Sequence, residues 1–202
     1  MDSEVFGRIG RYYDGLLSQH GHSARSCDYG HPNSQRAKFE VMSQVLDFTG
    51  RRVLDVGCGL ADYATFLKGR FNNVTYVGVD ISESMLSEAK KAHPDLDLRH
   101  LNILSDDPGR FDIVTANGIF YLLGEEASSL MRQLIERMYS FSNEAVAFTS
   151  LSRWAPDQEP QEYYADPLDT VAYCRTLAPW VALRHDYHPR DFSIYLYRSA
   201  HR

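Results

Sequence analysis

With 202 residues and 44% apolar side chains, the chain has the size and hydrophobic content of one compact domain with a sizeable core, which excludes a disordered chain. Its 21 basic against 27 acidic residues give a net charge of −6 without a Lys/Arg-rich cluster, which disfavours a nucleic-acid partner. Cys27, Cys58 and Cys174 are odd in number and far apart, so neither a disulfide framework nor a cysteine zinc site is expected.

The first thirty residues lack the uninterrupted apolar region of a signal peptide, and nowhere do eighteen apolar residues run together. A cytoplasmic protein without a membrane span is expected. Residues 3–20 carry Val5, Ile9, Tyr12, Tyr13 and Leu16 at helical spacing behind Ser3 as N-cap, which predicts a first helix. In and around the turn-rich loop that follows, His20, His22, Cys27, Asp28 and His31 fall close together. Their spacings match none of the usual zinc patterns, so no metal is expected.

Helical spacing resumes in SQRAKFEVMSQVLDF through Phe39, Met42, Val45 and Leu46, and stops at Gly50. Strand and helix then alternate: RRVLDVG, VTYVGVD, DLRHLNI, FDIVTAN and AVAFTSL read as strands, and LADYATFLKGRF, SESMLSEAKKA, EEASSLMRQLIERMYSFS and DPLDTVAYCRTLA as helices. That alternation predicts a doubly wound, mostly parallel α/β sheet covered on both faces. WVALRHDY and FSIYLYR close the chain with only HPRD between them, too short for a helix. They are expected to form an antiparallel hairpin, the seventh strand completing the sheet.

Within RRVLDVGCGLADY, Asp55 sits among Val53, Leu54 and Val56, ahead of Gly57 and Gly59. In an open parallel sheet the ligand crevice lies beyond the carboxyl ends of the strands, and glycine on the first turn lets the backbone approach a ligand closely. Asp80 closes the next strand, 23 residues after Gly57, where an acid accepts hydrogen bonds from ribose hydroxyls. An adenosine-containing ligand is therefore expected. A dinucleotide fingerprint requires a third glycine at position 62, but this chain has Asp62 there and a small residue at Ala61 instead. Asp55 would attract a protonated amine rather than a pyrophosphate. Adenosine joined to an amino acid, S-adenosylmethionine (SAM), fits both features.

At this point the residues resemble the class I SAM-dependent methyltransferases, in VLDVGCGLA, YVGVDISESML, DLRHLNIL and FDIVTANGIF in order. The resemblance implies a Rossmann-like methyltransferase fold over residues 1–202, with 1–33 as an N-terminal helix and lid segment. It also implies that Gly57, Cys58 and Gly59 line the methionine portion of SAM, with Asp55 near its amino group. Asp80 takes the ribose hydroxyls and Ile81 and Met85 pack on the adenine faces. Asn102, where the family often has an acid, faces the adenine amino group, and Ile103 and Asn117 complete the cofactor set. Lys38 is a candidate partner for the methionine carboxylate, the alternative being a solvated surface lysine.

Asn117-Gly118-Ile119-Phe120 stands where methyltransferases acting on nucleic-acid bases usually carry a [DN]-P-P-[YF] motif, which argues against base methylation. Acceptor contacts are expected from Tyr12, Tyr13, Tyr29, Phe120, Tyr121, Arg153, Trp154, Tyr163 and Tyr164, an aromatic density suited to enclosing a small molecule. His185 and Asp186, ending a late strand, are candidates for a catalytic base, although a surface turn explains them equally well. Methyl transfer to an O or N atom of a small molecule is the expected activity. A SAM-consuming lyase or cyclase, or a SAM-binding module without activity, would share the same motifs.

Overall fold

The computed structural model describes residues 2–200 and contains one seven-stranded sheet in the order β3-β2-β1-β4-β5-β7-β6. The strands are β1 (Arg52–Val56), β2 (Thr75–Asp80), β3 (Asp97–His100), β4 (Phe111–Asn117), β5 (Ser142–Leu151), β6 (Trp180–Arg184) and β7 (Asp191–Tyr197). The first five pair in parallel, and β7 inserts antiparallel between β5 and β6. The expected reversal at the end of the chain is thus present, in the mixed sheet of the Rossmann-like methyltransferase fold.

Helices α1 (Asp2–His20), α2 (Pro32–Met42), α3 (Asp62–Arg70), α4 (Glu83–Ala92), α5 (Ala127–Phe141) and α6 (Pro167–Leu177) cover the sheet. Because successive side chains of a strand face opposite ways, β1 sends Leu54 and Val56 into a core with α5 and Val53 into a second core with α2 and α3. Burial on both faces explains why the strands read as nearly continuous apolar runs.

Local chemistry moved several boundaries. Helix α1 already includes Ser3, so Ser3 is not its N-cap. The second helix stops at Met42 rather than running on to Phe48: Ser43 Oγ donates to the Glu40 carbonyl, and Gln44 and Val45 close i→i+3 turns. Val45 and Phe48 are still fully buried, so the apolar spacing reflected burial rather than a continuing helix. Strand β3 ends at His100 because Asn102 turns the chain, its Oδ1 accepting from the Leu104 amide at 3.0 Å. Among the described residues no helix is long and apolar enough to cross a membrane.

The centre of the sheet is tightly packed at Gly78 of β2, which pairs with Asp55 of β1. A Cβ there would lie 2.7 Å from Leu98 Cδ2 and 2.8 Å and 3.0 Å from Cys58 Sγ and Cβ. Gly78→Ala is therefore expected to cost about 1–3 kcal/mol of stability, read from the urea midpoint; an unchanged midpoint would contradict this packing.

Candidate active site

Beyond the carboxyl ends of the parallel strands, where the order reverses between β1 and β4, the chain encloses a cavity of about 480 Å³. That lies within the range of roughly 300–1,000 Å³ for small-molecule sites. Its floor is the turn after β1. Gly57 and Gly59 both adopt left-handed backbone conformations, at φ 70° and 53°. Such dihedrals cost a side-chain-bearing residue about 1 kcal/mol or more, and Ala61 bears that cost at φ 61° as the N-cap of α3. The turn is held from outside by Asp80: Gly59 N donates to its Oδ2 at 2.8 Å and Ser82 N to its Oδ1 at 2.9 Å. Burial pushes the Asp80 carboxyl above its usual range, while the Ser82, Gly59 and Ile81 amides pull it back.

Asp55 is almost fully buried in β1, accepting from Tyr76 Oη at 2.6 Å and Thr115 Oγ1 at 2.8 Å. Burial raises its carboxyl to about 6 against the pull of those two hydroxyls, and the Asp80 charge adds to the rise. A cation arriving beside it would favour the ionised form. Tyr63 also lines the cavity, and its buried Oη has no hydrogen-bond partner among the described residues. Six carboxylates line the cavity (Asp28, Asp55, Asp62, Asp80, Glu162 and Asp191) against Lys38 and Arg190, so its field suits a ligand carrying positive charge.

Helix α1 and the segment after it wall the opposite side. Phe6, Ile9 and Tyr13 face inward from the helix, and Cys27 to His31 follow. Asp28 Oδ2 accepts from both Tyr12 Oη and Tyr121 Oη at 2.8 Å, and Tyr121 Oη also lies 2.8 Å from Tyr13 Oη. Asn117 donates to Tyr29 Oη at 2.6 Å and accepts from Thr149 Oγ1 at 2.7 Å. Burial drives the Cys27 thiol up to about 12 and Cys58 well above its ordinary value, so neither supplies a thiolate nucleophile at neutral pH.

The structure brings together Lys38, Asp55, Gly57, Cys58, Gly59 and Asp80 with Ile81, Met85, Asn102, Ile103 and Asn117; all line this cavity. So do Tyr13, Tyr29, Phe120 and Tyr121. Other expected residues lie elsewhere. Tyr12 is 40% exposed and meets the cavity wall from behind, through Asp28 and the edge of the Tyr13 ring, and Trp154 is 50% exposed. Arg153 pairs with Asp166 on the surface at 3.8 Å, and Tyr163 and Tyr164 fall outside the lining, Tyr164 Oη donating to Glu162, which is part of it.

His185 and Asp186 also fall outside the lining, contrary to their expected place as a base. The His185 ring stacks on Phe192 and bonds Ser152 Oγ at 2.7 Å, and Asp186 pairs with Arg184 on the surface. The hairpin turn that follows places His188, Arg190 and Asp191 in the lining instead. Asp191 is 2.9 Å from Lys38 Nζ and 2.7 Å from His188 Nδ1. Burial pushes the Asp191 carboxyl up, but His188 and Lys38 together hold it below its ordinary value. Arg190 Nη2 contacts Glu162 at 3.0 Å and Tyr164 Oη at 2.6 Å, and its buried Nε has no partner among the described residues. The signal for this group was HPRD itself, a turn that is polar at three of its four positions at the crevice end of the sheet.

Residues 54–141 match the family model of a methyltransferase domain. Over 98 residues the chain is 32% identical to a trans-aconitate 2-methyltransferase of Methylobacterium nodulans, covering 48% of this chain and 38% of that protein. It is 27% identical over 94 residues to the one from Afipia carboxidovorans, covering 46% and 37%. The chain therefore spans less than half the length of these relatives. Among solved structures, a DhpI complex with S-adenosylhomocysteine superposes with a TM-score of 0.69 at 15% identity, covering 95% of both chains. Magnesium protoporphyrin IX methyltransferase from Synechocystis PCC 6803, also with S-adenosylhomocysteine, gives 0.68 at 13% identity, covering 96% of this chain and 100% of that one. At such identities the superpositions establish the fold, and the sequence match falls on the strands and glycine turn that floor the cavity. Over residues 54–141 the chain thus matches a methyltransferase domain, carried on the fold of the SAM-dependent methyltransferases with which it superposes.

Proposed function

We propose that the protein transfers a methyl group from SAM to a small-molecule acceptor, with the cofactor across the Gly57–Gly59 turn and the acceptor toward α1 and the hairpin turn. The observation that carries this reading is the Asp80 carboxylate, fixed by the Gly59 and Ser82 amides at the edge of the cavity, where it can take ribose hydroxyls. Asp55 and the unpartnered Tyr63 Oη suit the amino-acid end, and Lys38 suits its carboxylate. Ile81 and Met85 offer apolar faces for adenine, with Asn102 and Ile103 at its edge.

When bound, SAM supplies an already activated methyl, so the side chains need only align the acceptor and exclude water. Residues 1–33 serve as the cover. Tyr13, Tyr29, Phe120 and Tyr121 give an enclosing wall, and the Arg190 guanidinium, which lines the cavity, can hold an acceptor oxygen. The curated relatives are named for trans-aconitate, so small carboxylic acids are the first acceptors to test. If the acceptor must lose a proton, His188 replaces His185 as the base, with Asp191 orienting its ring.

Three outcomes test this. Asp80→Ala should weaken SAM binding more than tenfold by calorimetry, since a charge-assisted bidentate contact is worth roughly 1.5–3 kcal/mol; undiminished affinity, or NADH bound instead, would contradict the assignment. Because Asp55 ionises at about 6, its charged fraction falls from about nine-tenths at pH 7 to one-tenth at pH 5. SAM affinity should fall with it by up to about tenfold, and Asp55→Asn should flatten the profile. In mass-spectrometric screens of acceptor pools, S-adenosylhomocysteine should form only when an acceptor is present; steady methylthioadenosine from SAM alone would indicate a lyase.

A further inference from the structure

The loop after α1, the first turn of α3 and the end of α4 meet beside the glycine turn, where Asp62 also borders the cavity. There His22, Asp62 and His93 bring ring nitrogens and a carboxylate oxygen within 4.8 Å of one another. His22 Nε2 is 3.6 Å from Asp62 Oδ1, too long for a good hydrogen bond, and the two imidazoles meet edge to face at 6.3 Å. Asp62 is oriented by Gln35, whose Nε2 donates to its other oxygen at 3.1 Å. His93 Nε2 is buried and without a hydrogen-bond partner among the described residues. A buried, unpaired polar atom costs about 1–3 kcal/mol, which a ligand bond would offset.

We propose that His22, Asp62 and His93 bind a divalent transition-metal ion, zinc foremost, which clamps the N-terminal segment onto α3 and α4. Two imidazoles and one carboxylate suit zinc or its first-row neighbours, whereas magnesium and calcium require oxygen donors. Tetrahedral donors about 2.0–2.2 Å from a metal stand roughly 3.3–3.6 Å apart, so small side-chain rotations close the group. Gln35 provides the outer hydrogen bond that fixes a ligating carboxylate. The exposed side of His22 leaves the fourth position to water. The three ligands lie 40 and 31 residues apart in sequence, which is why no local spacing suggested them. The site does not depend on methyl transfer.

The test uses the full chain, stripped with a chelator and titrated with Co²⁺, followed by its visible d–d bands and competed with Zn²⁺. One Co²⁺ per chain is expected, with bands of tetrahedral intensity. His22→Ala and His93→Ala should each weaken binding roughly tenfold or more, and His20→Ala should leave it unchanged. His22 lies in an exposed loop, so that variant carries the test even if the His93 variant does not fold. Zn²⁺ should also slow hydrogen exchange over residues 20–31 in the parent but not in His22→Ala. Absent bands, or bands that survive His22→Ala, would overturn the site; binding without slowed exchange would overturn the clamp.

Discussion

The two backbone bonds that Asp80 accepts, from Gly59 and Ser82, tie the end of β2 to the turn after β1 and to the start of α4. Together with the Gly57 and Cys58 amides, which donate to the Val79 carbonyl, that tie fixes the left-handed turn of residues 57, 59 and 61, in which Ala61 alone carries a conformational cost. A carboxylate used for this purpose is also partly withdrawn from water. Its remaining acceptor capacity therefore faces the cavity under a raised affinity for donors, the condition a hydroxylated ligand meets. On the proposed reading, the same residue that shapes the floor of the site also receives the ribose hydroxyls.

Around that floor the chain has gathered an excess of carboxylates, and each is stabilised differently. Asp55 relies on two hydroxyls and remains easy to protonate, whereas Asp191 is held ionised by Lys38 and His188. The Asp55 end is thereby left open to a cation, while the hairpin end is internally neutralised. On the reading proposed above, the Asp55 end takes the cationic co-substrate and the hairpin end, with Arg190, takes the acceptor.

What was legible in the sequence was local. Gly57, Gly59, Asp55 and Asp80 announce themselves because strand, turn and helix chemistry act within a few residues, and the shortness of HPRD forced the terminal hairpin. What depended on distant contacts was not. Nothing near Asp28 in the chain indicates that Tyr12 and Tyr121 converge on it, and His185 could not be told from His188 before the hairpin's twist was known. Helix α2 misled for the converse reason: Val45 and Phe48 are buried by tertiary packing although Ser43 has already ended the helix.

The central claim is that SAM lies across the turn after β1 with its ribose at Asp80. Hydrogen–deuterium exchange with and without S-adenosylhomocysteine tests it most directly, because it reads individual backbone segments without requiring the acceptor. The account predicts slowed exchange in three separate stretches, at residues 57–61, 80–82 and 101–104, all of which border the cavity. Protection confined to other parts of the chain, or none at saturating ligand, would contradict it.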